Sequence, residues 1–147
     1  MRPAARSPER PDGLRMNSTN GKAMNRKRSF KLMIVDDSNI MRRRIERSQQ
    51  FEELQLVGTA GNGVEALELF KRTDPDVVTM DLTMPRMDGI ECIGRLVALK
   101  PAVRILVISA LADKATAVEA MEKGANGFLN KPFTDRQLNE AIADLMR

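Results

Sequence analysis

From Phe30 onward, two hydrophobic periods take turns along the chain. Short apolar runs recur at 31–35 (KLMIV), 54–60 (LQLVGTA), 75–80 (PDVVTM), 103–109 (VRILVIS) and 126–130 (NGFLN). Between them, at 38–50, 63–72, 89–99, 113–124 and 134–146, apolar residues are interleaved with charges at helical spacing. The runs read as strands and the interleaved segments as helices. Ser38, Asp113 and Thr134 stand where N-caps belong, and Gly124 stands at a helix end. Asp88 before Gly89 reads as a turn residue and cap. The first helix carries apolar Ile40, Met41 and Ile45 among charges, and expected apolar faces carry Leu67 and Phe70 in the second helix and Leu138, Ile142 and Leu145 in the last.

Five strand–helix units of this size predict an α/β fold with a parallel sheet covered by helices on both faces. The runs VVTM and ILVIS are apolar throughout, as buried central strands are. Right-handed crossovers leave few topologies, and five strands favour the doubly wound, flavodoxin-like order 2-1-3-4-5.

In such sheets, ligands sit beyond the carboxyl ends of the strands, where the strand order reverses. Strand 1 ends in Asp36 and Asp37, strand 3 in Asp81, strand 4 in Ser109, and strand 5 in Asn130, Lys131 and Pro132. Strand 2 ends in AGNG, a turn. Three carboxylates, a hydroxyl and an ammonium therefore converge on one pocket.

Charge is distributed unevenly. Residues 1–30 hold eight Lys/Arg and two acidic residues, while the rest hold sixteen and eighteen. The basic character belongs to the N-terminal stretch, which has almost no apolar periodicity. Residues 1–29 read as a disordered basic extension, and 30–147 as one domain. The extension is either a solvated tail or the product of a start placed ahead of Met24; a basic tail could also touch nucleic acid or an acidic membrane surface. The mildly acidic domain argues against specific nucleic-acid binding. No apolar run approaches the ~20 residues of a membrane span, and no secretory signal is present. The single cysteine, Cys92, lies in an apolar pattern and reads as a small core residue of a cytoplasmic protein. The run Arg42–Arg44 reads as a solvated helix face beside the acidic pocket, and the ten methionines as core fillers.

The chain contains no histidine, so any metal must be held by oxygen. That favours Mg²⁺, with Mn²⁺ or Ca²⁺ as alternatives. Clustered carboxylates are unstable without a cation. A lysine and a serine beside such a cation suit a phosphoryl group. With no Gly-rich phosphate loop, a carboxylate itself is the remaining acceptor, and Asp81, alone on the central strand, is the natural nucleophile.

LMIVDDS, VVTMDLTMPRMDG, LVISAL and GANGFLNKPF, in this order, resemble the receiver domain of two-component response regulators, of the stand-alone, chemotaxis type, since nothing follows the fifth helix. The resemblance implies Asp81 as phosphoacceptor. Asp37 would bind Mg²⁺ directly and Asp36 through water, with Asp81 and the Thr83 carbonyl completing the protein ligands. Lys131 would pair with the acceptor and then with a phosphoryl oxygen, and Ser109 would bond another. Lys131–Pro132 would be a cis peptide. Phe128 would be the switch aromatic that turns inward as Ser109 moves. Serine and phenylalanine stand where relatives often have threonine and tyrosine. Leu111 is apolar where some relatives place a polar group near the hydrolytic water, which suggests slow autodephosphorylation.

The function that follows is a monomeric signalling switch rather than an enzyme. A histidine kinase or phosphotransfer protein donates the phosphoryl group, and the α4–β5–α5 face binds a protein target in chemotaxis or motility. One alternative keeps the fold and makes the chain a phosphorelay intermediate or phosphate sink. Another, an aspartyl-nucleophile hydrolase, wants a second Asp two residues after the nucleophile, where Thr83 stands.

Overall fold

The computed structural model describes residues 29–110 and 113–147. The expectations for residues 1–28 and for Leu111 lie outside the described residues. Five strands, β1 (Phe30–Val35), β2 (Leu54–Ala60), β3 (Val77–Met80), β4 (Arg104–Ser109) and β5 (Gly127–Asn130), alternate with five helices. These are α1 (Asn39–Ser48), α2 (Gly63–Thr73), α3 (Gly89–Leu99), α4 (Lys114–Glu122) and α5 (Asp135–Met146). All strand pairs are parallel and the order is β2-β1-β3-β4-β5, as the alternation predicts.

Strand periodicity sorts the core into two layers. Met33, Val35, Val78, Met80, Ile105 and Val107 face Ala66, Leu69 and Phe70 of α2, Cys92, Ile93 and Leu96 of α3, and Ala120 of α4. The alternate residues Leu32, Ile34, Val77, Leu106 and Ile108 face Ile45 of α1 and Leu138, Ile142 and Leu145 of α5. Each Val, Leu, Ile, Phe or Met side chain among them contributes about 1.5–3 kcal/mol on burial. Cys92 is fully buried, and burial pushes its thiol up to about 12, as suits a core residue.

The helices begin where their caps allow. Ser38, Asp88, Asp113 and Thr134 each accept the amide three residues on, and Thr134 forms a full capping box with Gln137. Such caps contribute about 1 kcal/mol each. Asn62, read from the sequence only as part of a turn, caps α2 by accepting the Glu65 amide. β3 begins two residues later than expected. Pro75 has no N–H to give to a ladder. Asp76 already bonds both neighbouring strands, its amide to the Lys31 carbonyl and its carbonyl to the Arg104 amide, while its carboxylate accepts the Lys31 amide and the Lys100 ammonium. Burial opposes charge on Asp76, yet those two donors hold its carboxyl below the ordinary range.

Ile40, one of the apolar residues of α1, is 80% exposed on the outer side of its first turn. Leu67 is half-buried: it packs against the core layer that holds Phe70, as expected, and also lines a groove with Leu99. Among the described residues, no helix is long and apolar enough to cross a membrane.

Candidate functional site

β1 and β3 are neighbours, with Val35 opposite Met80. Each runs one step further into a carboxylate. The Asp36 amide donates to Ala60 and the Asp81 amide to Val35, so the ladder itself carries both backbones to the sheet edge. Asp36 is 1% exposed and Asp81 5%, while Asp37 lies at the open rim. Carboxylate oxygens of the three lie within 4.8 Å of one another.

The two buried charges of this cluster each have specific neighbours. Asp36 Oδ1 accepts the Ser38 amide at 2.9 Å, and Asp36 Oδ2 accepts Lys131 Nζ at 2.7 Å. Lys131 Nζ is 3.7 Å from Asp81 Oδ1, so the ammonium bridges both buried acids and sits closer to Asp36 than to the expected acceptor. The Thr83 amide reaches Asp81 Oδ1 at 3.5 Å, which places residue 83 beside that carboxylate. Burial pushes the Asp81 carboxyl up to about 6; Lys131 opposes the rise, and Asp36 and Asp37 add to it. Three hard oxygen donors at this spacing, with one ammonium to offset three like charges, fit a small divalent cation such as Mg²⁺.

The other side of the pocket comes from β4 and β5. Ser109 ends β4 fully buried, and its carbonyl accepts the Lys131 amide at 3.0 Å, the bond that launches the lysine off the sheet. The Lys131–Pro132 bond is cis. Phe128 is half-buried opposite Val107, so Phe128 and Ser109 lie on the same face of the sheet.

Residues 32–143 match the family model of the response regulator receiver domain. The chain belongs to that family. This receiver is 38% identical over 113 residues to the chemotaxis protein CheY of Listeria monocytogenes, covering 77% of this chain and 95% of that protein. It is likewise 38% identical over 112 residues to CheY of Thermotoga maritima, covering 76% and 93%. A protein-glutamate methylesterase/glutaminase of Pseudoalteromonas atlantica is 44% identical over 119 residues, covering 78% of this chain and 31% of that longer protein. Among solved structures, the receiver superimposes on the CheX–CheY–BeF₃–Mg complex of Borrelia burgdorferi with a TM-score of 0.77 and 30% identity, covering 80% of this chain and 90% of that one.

Sequence reading missed three parts of the site. Arg42 and Arg44 are not a solvated face: both are half-buried, and only Arg43 of the run is exposed. Arg42 Nη1 donates to the Asp36 carbonyl at 2.6 Å, and Nη2 donates to Asn39. Arg44 reaches across to the loop after β5. Charge runs look alike in sequence whether they face water or a neighbouring loop. The third part is Gly89, whose amide donates to the Leu82 carbonyl while its bare Cα packs on the Asp81 backbone. A Cβ there would press on the Asp81 carbonyl oxygen and come within 2.7 Å of Leu82 Cα. The Asp-Gly pair marked the turn, but not this close approach.

Proposed function

We propose that this receiver is a single-domain signalling switch in chemotaxis, cytoplasmic and monomeric, in which a phosphohistidine on a kinase or phosphotransfer protein donates its phosphoryl group to Asp81. The observation that carries the reading is the juxtaposition of Asp36, Asp37 and Asp81 within 4.8 Å beside the Lys131 ammonium. Asp81 attacks phosphorus through a carboxylate oxygen; a P–O bond forms, the P–N bond breaks, and the imidazole leaves with its electron pair. The chain promotes this transfer on itself and turns over no separate substrate, so it is a switch rather than an enzyme.

Asp36, Asp37, Asp81 and the Thr83 carbonyl would hold Mg²⁺, which when bound neutralises charge on the phosphoryl oxygens. Lys131 pairs with one phosphoryl oxygen and the Ser109 hydroxyl bonds another. Drawing Ser109 toward the new group vacates space on the face it shares with Phe128, and the ring moves inward. That movement reaches the α4–β5–α5 face. Only Ala120 of α4 is buried, and Val118 and Met121 present apolar surface at 47% and 44% exposure, as suits a helix awaiting a protein partner.

Incubation with Mg²⁺ and a small acyl phosphate, followed by intact mass, tests the central claim. Wild type is expected to gain one phosphoryl group and Asp81→Asn none. A wild type that stays unmodified overturns the reading.

A further inference from the structure

We propose that Arg44 is a positioning residue for Lys131: from α1 it holds the β5–α5 loop where the lysine reaches Asp36 and Asp81. The inference rests on the reading above, in which Lys131 serves phosphoryl transfer to Asp81.

Three contacts of different kind converge on this guanidinium. Its Nη2 donates to the Phe133 carbonyl at 2.6 Å and lies 3.5 Å from Asp135 Oδ1, and its Cζ stands 4.5 Å from the centre of the Phe133 ring. A planar guanidinium can stack on a ring and donate from its edge at the same time, and a lysine ammonium cannot. Helix polarity does not explain the placement. A cation beside the first turn of α5 faces the positive end of that helix. The carbonyl, the ring and Asp135 are what keep it there.

What the arginine holds is the short tether of Lys131. The last sheet bond of β5 is the Lys131 amide to Ser109, and α5 starts at Asp135 with Thr134 as cap. Phe133, fixed by Arg44 at both its ring and its carbonyl, is the anchor between those two points. The ring is 4% exposed and shares a core layer with Ile45, the residue after Arg44. α1 is the helix that follows Asp36 and Asp37. Arg44 therefore ties the helix launched from the carboxylates to the loop launched from the lysine, and so fixes the two halves of the pocket relative to each other. A second tie further along, through Asn139 to the Gln50 amide and the Ser48 carbonyl, joins the same two helices far from the pocket and serves as a control.

The test compares Arg44→Gln, Arg44→Lys and Asn139→Ala, each also in a Lys131→Ala background. The readouts are the acyl-phosphate phosphorylation rate at saturating Mg²⁺, the Mg²⁺ affinity by calorimetry, and stability by urea. Arg44→Gln is expected to slow phosphorylation on the order of 10-fold without weakening Mg²⁺ binding. Arg44→Lys should recover part of the rate, and Asn139→Ala should lower stability and leave the rate alone. In the Lys131→Ala background, Arg44→Gln should add nothing, because its effect runs through the lysine. An unchanged rate in Arg44→Gln, or an equal slowing in both backgrounds, overturns the proposal. If wild-type protein takes no phosphoryl group, the functional reading itself fails; if it does and the Arg44 series is flat, only the positioning role fails.

Discussion

Lys131 Nζ lies 2.7 Å from Asp36 Oδ2, nearer to this deeply buried carboxylate than to Asp81. The pair spans 95 residues of sequence and closes the pocket from the β5 side. Lys131→Ala leaves Asp36 without its countercharge in a site it cannot leave. Breaking a buried pair from one side costs about 3 kcal/mol or more. We expect the urea midpoint of Lys131→Ala to fall accordingly, and added Mg²⁺ to restore a larger share of stability in the variant than in wild type. A variant as stable as wild type without Mg²⁺ would mean that the bridge carries little.

Asp81 sets a pH dependence whose sign is opposite to that of most carboxylates. Its carboxyl is pushed up from 3.8 to about 6 by burial, against Lys131 and with help from Asp36 and Asp37. The folded state therefore holds a proton that the unfolded state releases earlier. Asp81 costs the fold nothing below about pH 4, and the cost grows as pH rises to about 6. At neutral pH without divalent cation, Asp81→Asn should be more stable than wild type by roughly 2–3 kcal/mol. The difference should vanish near pH 4. Denaturation of both proteins across that range, in chelator, checks it; a constant difference at all pH values contradicts it.

Two glycines of α3 should respond in opposite directions. Gly89→Ala forces the Asp81 and Leu82 backbone to shift and is expected to cost on the order of 2 kcal/mol and slow phosphorylation. Gly94 faces open space, with only Lys123 Cδ 3.8 Å from where a Cβ would lie. Gly94→Ala should stabilise the helix by about 1 kcal/mol and leave phosphorylation untouched. Thermal unfolding of the two variants together separates local helix propensity from the close approach at the site.

Thr79, in the middle of β3, has a hydroxyl that is buried with no hydrogen-bond partner. Thr79→Val keeps the shape and β-branching and removes the unsatisfied group. A gain of about 1 kcal/mol is expected from urea titration, with Mg²⁺ affinity unchanged. A loss of stability would show that the hydroxyl is satisfied by solvent the packing admits.

The fold was legible because its two periods are clean. Every strand and helix could be placed from apolar spacing and caps, and the switch point followed from the topology. The acidic cluster, Ser109 and Lys131 were legible because each directly ends a strand. Arg44 and Gly89 were not, since their partners are backbone carbonyls and a ring that no spacing rule couples to them. Lys131 was legible as a member of the pocket, yet its nearer contact with Asp36 depends on side-chain reach rather than sequence position. Ile40 lies exposed, because an apolar side chain at helical spacing says nothing about whether a neighbour covers it.

The pairing of Val35 with Met80 has one further consequence. A slip of β3 by a single residue against β1 would exchange its faces. Thr79 would then point into the layer beneath α2 and α3, Met80 into the one beneath α1 and α5, and Asp81 away from Asp36. The misfolded sheet would bury the wrong residues before it parted the two carboxylates. Ordinary greasy packing thus proofreads the acidic cluster, and a molecule with a properly filled interior already has Asp81 aimed at Asp36.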